Sequence, residues 1–240
     1  MAQAFLQSTA NLDADHPLIQ GFAQEAAAGA HTQREAAVAV FYAVRDRIKY
    51  NPYLFRPDPA IFRASAILRQ GEGYCVQKSI LLAASARALG IPCRLGFAIV
   101  RNHLTTPRLR ALMQSDVFVF HGYNELLING KWVKATPTFD QELCTKFGVK
   151  PPDFDGEQDA LFHEHDLAGR KHMEYLHDYG TIADLPYEFM ISELIKHYPH
   201  LVETYTKGGP MSGDFGAEAG SCGMLEREPP GLSHHDRIGA

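Results

Sequence analysis

An α+β fold, with a cysteine-bearing helix buried against an antiparallel sheet, is what this chain predicts, and three observations carry the prediction. The segment 75–89 is apolar nearly all round (Val76, Ile80, Leu81, Leu82, Ala83, Ala84, Ala86, Ala88, Leu89), so it belongs inside a domain and not along its surface. The segment 117–128, Asn129-Gly130 and 131–136 together have the form of a β-hairpin with a two-residue turn. Helical signals come first along the chain and strand signals follow them.

The elements follow in order. Pro17, just after Asp15, starts a helix that runs toward Ala28 and ends at Gly29. Thr32-x-x-Glu35 is a capping box. Ala37, Val40, Phe41, Val44 and Ile48 then repeat at helical spacing until Asn51-Pro52 stops the run. A loop rich in proline and aromatics covers 50–59, a short helix spans about Ile61 to Arg69, and Gly71 and Gly73 turn the chain into the buried helix, closed by Gly90 and Pro92. Arg94 to Val100 reads as a strand, followed by a polar, proline-containing connection and the hairpin, which Pro137 interrupts. Asp140 is placed to cap a short helix ending at Gly148, and Asp184-Leu185-Pro186 begins a late amphipathic helix over Tyr187 to Lys196.

At 240 residues with 45% hydrophobic side chains, the chain is long enough for one substantial core, read here as a single domain over 1–207 with a Gly/Pro-rich C-terminal tail over 208–240. A net charge of −5 gives no footprint for nucleic acid or an anionic membrane. Nothing resembles a transmembrane span or a secretory leader, so a cytoplasmic location is expected. Cys75, Cys93, Cys144 and Cys222 are scattered with no C-x-x-C pair, which argues against a disulfide scaffold and a structural zinc site.

Cys75 stands at the start of the buried helix after the glycine turn, where unpaired backbone N–H groups favour thiolate over thiol. The hairpin locates its partner. A two-residue turn at Asn129-Gly130 pairs Ile128 with Lys131, Leu127 with Trp132, Glu125 with Lys134 and Tyr123 with Thr136. His121, Tyr123 and Glu125 then share a face with Trp132, Lys134 and Thr136. His121 therefore projects beside Thr136, on a strand suited to present a base to Cys75.

Gly-x-Gly-Tyr-Cys75-x-x-Lys-x-x-Leu-Leu, running on to Arg87-Ala-Leu-Gly-Ile-Pro-Cys-Arg94, resembles the cysteine helix of transglutaminase-like proteins, a papain-like superfamily that includes peptide N-glycanases. His121-Gly-Tyr-Asn-Glu125 and Lys131-Trp132-Val133-Lys134-Ala135-Thr136-Pro137-Thr138 are similar to that family's His-x-aromatic-x-Glu and Trp-x-x-x-Asp-Pro-Thr stretches, and the likeness covers about 42–139. The resemblance implies a cysteine-dependent acyl-transfer enzyme, a hydrolase or an amide-forming acyltransferase. Its thioester would form on Cys75, His121 would serve as general base and acid, and the substrate would be a peptide, a protein or a small amide or thioester. No cofactor or metal is implied, and oligomeric state is left open.

The family's usual aspartate is replaced here by Thr136, whose hydroxyl can accept a hydrogen bond but cannot stabilise imidazolium by charge. Asp140, Glu125 and Asp166 are the substitutes the sequence offers, against a helix cap for Asp140 and a cross-strand ion pair with Lys134 for Glu125. Tyr74, Tyr123 and Trp132 are substrate-pocket candidates, against a cover over the helix start for Tyr74 and core packing for Trp132. Thr136 also motivates a second reading, a catalytically inactive binding protein. A third, a metal protein built on His163, His165, His172 and His177, is disfavoured by spacing that lacks the i, i+4 pair of helical ligands.

Overall fold

The computed structural model describes residues 2–202 and 213–225. Its organising element is the buried helix α4 (Cys75–Ala88), with α1 (Pro17–Ala26), α2 (Gln33–Arg47) and α3 (Ala64–Gln70) packed on one side and a sheet on the other. Ile80, Leu81, Leu82, Ala83, Ala84 and Ala86 of α4 are wholly removed from solvent. A fully buried leucine or isoleucine contributes about 1.5–3 kcal/mol, so this helix anchors the core.

The sheet has the order β5-β4-β3-β6, antiparallel throughout, from β3 (Cys93–Asn102), β4 (Val117–Ile128), β5 (Lys131–Ala135) and β6 (Met173–Ile182). A two-residue parallel pair, β1 (Lys49–Tyr50) and β2 (Glu72–Gly73), delivers the chain to Cys75. Among the described residues no helix is long and apolar enough to cross a membrane.

Several elements have the form their residues predict. Thr32 accepts a hydrogen bond from the Glu35 N–H at 3.1 Å and starts α2, while the Glu35 carboxylate reaches the His31 N–H at 2.6 Å, one residue before its expected target. The hairpin register is the predicted one: Ile128 faces Lys131, Leu127 faces Trp132 and Glu125 faces Lys134. It ends at Asn124 opposite Ala135, so the expected Tyr123–Thr136 pair does not form, because the Thr136 N–H turns away to the Ala160 carbonyl at 2.9 Å.

Other elements have no counterpart among the expected ones. The polar stretch after β3 contains a helix, α5 (Pro107–Met113), capped by Thr106, whose hydroxyl accepts from the Leu109 N–H at 3.2 Å. The histidine-rich region runs into β6, whose Tyr175, His177 and Tyr179 alternate along an edge strand. A helix α8 (Phe215–Leu225) lies within the Gly/Pro-rich segment, with Phe215 buried against Tyr50 and Phe147 at 5.4 and 5.7 Å between ring centres. The run 208–212 and the proline pair at 229–230 fall outside the described residues.

Candidate active site

The first turn of α4 is fixed from three directions. Gln77 accepts the Tyr74 N–H at 3.2 Å and donates to the Ile61 carbonyl at 3.0 Å. Lys78, fully buried, donates from Nζ to the carbonyls of Arg45 and Ile48 at 2.8 and 2.6 Å, which supplies partners for carbonyls that the end of α2 leaves unpaired within the helix. Burial outweighs the nearby Asp140 and Asp46 carboxylates and holds the Lys78 ammonium down at about 7. Neither residue faces solvent; both hold Cys75 in place.

Strand β4 meets this turn through Gly122. A Cβ there would come within 2.9 Å of the Val76 Cα and 3.1 Å of the Cys75 carbonyl oxygen, so only glycine allows the approach. Asn124 faces the same helix and donates to the Ser79 carbonyl at 2.9 Å. Just before Gly122 the strand carries a bulge: Ala98 pairs with His121 but Val100 with Phe118, and Phe120 has φ of +63°. A bulky residue in the left-handed region is strained, and bulges re-aim side chains. Here the strain lies one residue before His121.

Cys75 and His121 border one cavity of about 240 Å³, with Tyr74 between the loop and the helix start. The backbone N–H groups of Gly122, Val76 and Cys75 face the sulfur and favour thiolate, but burial dominates and pushes the thiol up to about 11. The helix end therefore does not lower the thiol pKa as position alone predicts, because apolar surroundings disfavour the charge more than the amide dipoles favour it. Burial likewise pushes the His121 ring down to about 4. At neutral pH the pair is thiol and neutral imidazole.

His121 is itself buried, its ring 5.6 Å from Phe162 and 5.9 Å from Tyr175, centre to centre. Nε2 is sealed from solvent with no hydrogen-bond partner among the described residues. Thr136 is fully buried, and its Oγ1 makes no hydrogen bond of ordinary geometry, although the Tyr175 hydroxyl faces it. Burial raises the Tyr175 phenol to about 12, with Thr136 and the Phe162 backbone opposing. Tyr175 thus links His121 to Thr136. Sequence reasoning missed it, and the alternation of Tyr175, His177 and Tyr179 was the available signal.

The three acidic substitutes are engaged elsewhere. Asp140 caps α6 (Gln141–Phe147) by accepting from the Leu143 N–H at 2.8 Å. Glu125 pairs across β3 with Arg94, whose Nε donates at 2.8 Å, and not with Lys134, which lies 3.3 Å from Asp178. Asp166 is held in its own turn by the N–H groups of Ala168 and Arg170 at 2.9 and 2.8 Å and by the Arg170 Nε at 2.7 Å. Burial would raise this carboxyl, but those bonds keep it below its usual value.

Tyr123 and Trp132 are not among the residues that line the cavity. The Tyr123 hydroxyl donates to Asp178 at 2.9 Å, in space that Gly96 leaves open, and Trp132 stacks under Arg94 at 4.2 Å and against Phe5 at 5.4 Å. The histidine-rich segment packs beside the site through Phe162, which separates His121 from His172. Among the described residues no group of three His, Cys, Asp or Glu side chains is arranged to hold a metal ion.

The profile of the transglutaminase-like superfamily matches residues 20–137, a span that contains the cysteine helix, the bulged strand and Thr136. This core, just under half of the chain, is similar to the transglutaminase-like superfamily. Two solved structures are similar to this chain at a distance. A candidate cysteine protease from Cytophaga hutchinsonii is 16% identical with a TM-score of 0.43, over 74% of this chain and 53% of that one. A candidate protease from Parabacteroides distasonis is 14% identical with a TM-score of 0.38, over 56% of this chain and 26% of that one. This chain thus spans about half the length of the first and about a quarter of the second. No curated protein matches it.

Proposed function

We propose that the chain is a cysteine-dependent acyl-transfer enzyme, a hydrolase or amide-forming acyltransferase, acting through a thioester on Cys75. The observation that carries this reading is that Cys75 and His121 border one cavity, with three backbone N–H groups directed at the sulfur. As the sulfur attacks the carbonyl carbon of a peptide, amide or thioester, the thiol proton passes to the neutral His121 ring. The carbonyl oxygen takes the charge, stabilised by the backbone N–H groups at the helix start. The bond to the leaving group breaks, and the leaving group departs with the proton from His121. Water or an amine then attacks the thioester and regenerates the thiol.

As the neutral pair reacts it forms imidazolium, which a third member steadies by orienting the ring and, where it carries charge, by that charge. Thr136, acting with Tyr175, orients the ring in this reading without supplying charge. Exposure of the wild type and Cys75→Ala to peptide, glutamine-amide and thioester donors, followed by intact-mass measurement, tests it. An acyl mass on the wild type alone is expected; an acyl mass retained by Cys75→Ala, or none on either protein, contradicts it.

The second reading, a catalytically inactive binding protein, is favoured by one observation: Asp140, Glu125 and Asp166 are all engaged away from His121. An acyl mass on Cys75 from any donor removes it.

A further inference from the structure

The walls of the cavity at Cys75 are more selective than its chemistry. Met190 and Leu194 of α7 (Tyr187–His197), with Phe118, Leu201, Tyr74 and Tyr198, enclose it, and among its described lining residues none is Asp, Glu, Lys or Arg. The Tyr198 hydroxyl donates to the Val117 carbonyl at 2.6 Å and accepts the Val119 N–H at 2.9 Å, so it is engaged with the strand. Nε2 of His121 is sealed. Ile195 and Val202, at the cavity and 49% and 42% exposed, leave an apolar rim open to solvent.

We propose that the acyl group delivered to Cys75 is apolar, an alkyl or aryl chain that fills this cavity with its carbonyl at the sulfur. This deepens the acyl-transfer reading and rests on it for the covalent step alone. A charged chain entering here loses its water and meets no side chain of opposite charge among the described lining residues, whereas each methylene gains burial. With a thioester donor, the Cys75 thiol proton goes to His121, the new S–C bond forms, the donor's C–S bond breaks and the departing thiol takes the proton back. The shared chemistry admits two sources, a free fatty acyl thioester or a peptide with a large apolar residue before its scissile carbonyl.

Two measurements test the proposal. In the first, calorimetry follows the binding of alkyl amides from acetamide to octanamide to Cys75→Ala. Affinity is expected to rise about three- to fourfold per methylene, the equivalent of about 0.8 kcal/mol for each buried CH₂. Leu194→Gln in the same background is expected to weaken octanamide at least tenfold (about 1.4 kcal/mol) and acetamide little, its folding checked by its melting temperature. In the second, the wild type is offered N-acetylcysteamine thioesters of the same acyl series, an N-acetylphenylalanyl thioester and a glutamine-amide donor, and acylation of Cys75 is read by mass. The alkyl and phenylalanyl arms identify the source.

A flat amide series, or Leu194→Gln leaving octanamide affinity unchanged, overturns the proposal whatever the second experiment shows. A steep amide series with no acylation by any donor leaves the apolar cavity standing and removes the acyl-transfer reading.

Discussion

The Tyr198 hydroxyl accepts the Val119 backbone N–H at 2.9 Å, two residues before His121. It also donates to the Val117 carbonyl at 2.6 Å, so one phenol spans the strand where it enters the bulge. Tyr198→Phe keeps the ring and removes both bonds. An unsatisfied buried backbone group costs about 1–3 kcal/mol, so the variant is expected to lose about 2 kcal/mol in urea unfolding. Acylation of Cys75 is expected to slow roughly tenfold as the strained Phe120 relaxes and His121 shifts, equivalent to about 1.4 kcal/mol in the barrier. Stability loss without any change in acylation would leave Tyr198 a purely structural residue.

Gly122 gives a steric test of the contact between β4 and α4. Gly122→Ala places a methyl against the Val76 backbone at 2.9 Å, where neither the helix start nor the strand has room to yield. The expected cost is about 1–3 kcal/mol, typical of overpacking, measured from the urea midpoint at constant m-value. An unchanged midpoint would mean that the strand and helix are not in close contact there.

Acid should destabilise the protein through its buried imidazoles. Burial depresses the His121 ring to about 4 and the His172 ring to about 4, so the folded state binds these protons later than the unfolded chain does. With an unfolded value of about 6.5, the stability is fully present above that pH and is lost as pH falls toward the folded value, up to about 3 kcal/mol per histidine. Denaturant midpoints taken between pH 7 and 4 should fall, and His121→Gln should flatten the slope. A midpoint constant over that range would contradict the neutral, buried state of both rings.

The thiol should titrate late. Burial holds Cys75 up at about 11, and Cys93 and Cys144 up at about 12, yet only Cys75 of these three is partly exposed. Iodoacetamide is therefore expected to label Cys75 first, with a rate that climbs roughly tenfold per pH unit through neutrality. A rate already on a plateau at pH 6 would instead indicate a resting thiolate–imidazolium pair.

Thr136→Asp restores the acid that the family resemblance leads one to expect. A carboxylate beside Tyr175 and His121 favours imidazolium, so the rise of alkylation with pH should move to lower pH. The variant should also be less stable above neutrality by about 1–3 kcal/mol, since the carboxylate replaces a fully buried hydroxyl. An unshifted alkylation profile would place Thr136 outside electrostatic reach of the histidine.

What was legible in the sequence was what local chemistry determines. The Thr32 cap, the Asp140 cap, the apolar circumference of α4 and the register set by Asn129-Gly130 all rest on neighbours within a few positions. The hairpin placed His121 correctly along β4, but the bulge at Phe120 has no local signature, since nothing in Val119-Phe120 announces a left-handed residue. Tyr175 lies in a strand of exposed polar and aromatic residues, more than fifty positions from His121, and only the pairing of β6 with β3 brings it near. The direction of the Cys75 thiol pKa departs from expectation for a related reason. A helix terminus is visible in sequence, whereas the dryness of the space around it is produced by residues as distant as Met190 and Leu201.

Gly122 offers its N–H to the Cys75 sulfur, and the residue bonded to that very nitrogen is His121. The group that accepts the thiol's proton and one that steadies its charge are consecutive links of the same strand. A displacement of one is therefore a displacement of the other, so substitutions in β4 cannot adjust basicity and sulfur reactivity separately. Independent tuning is left to residues outside the strand, such as Gln77 and Lys78, which fix the first turn of α4 without touching His121.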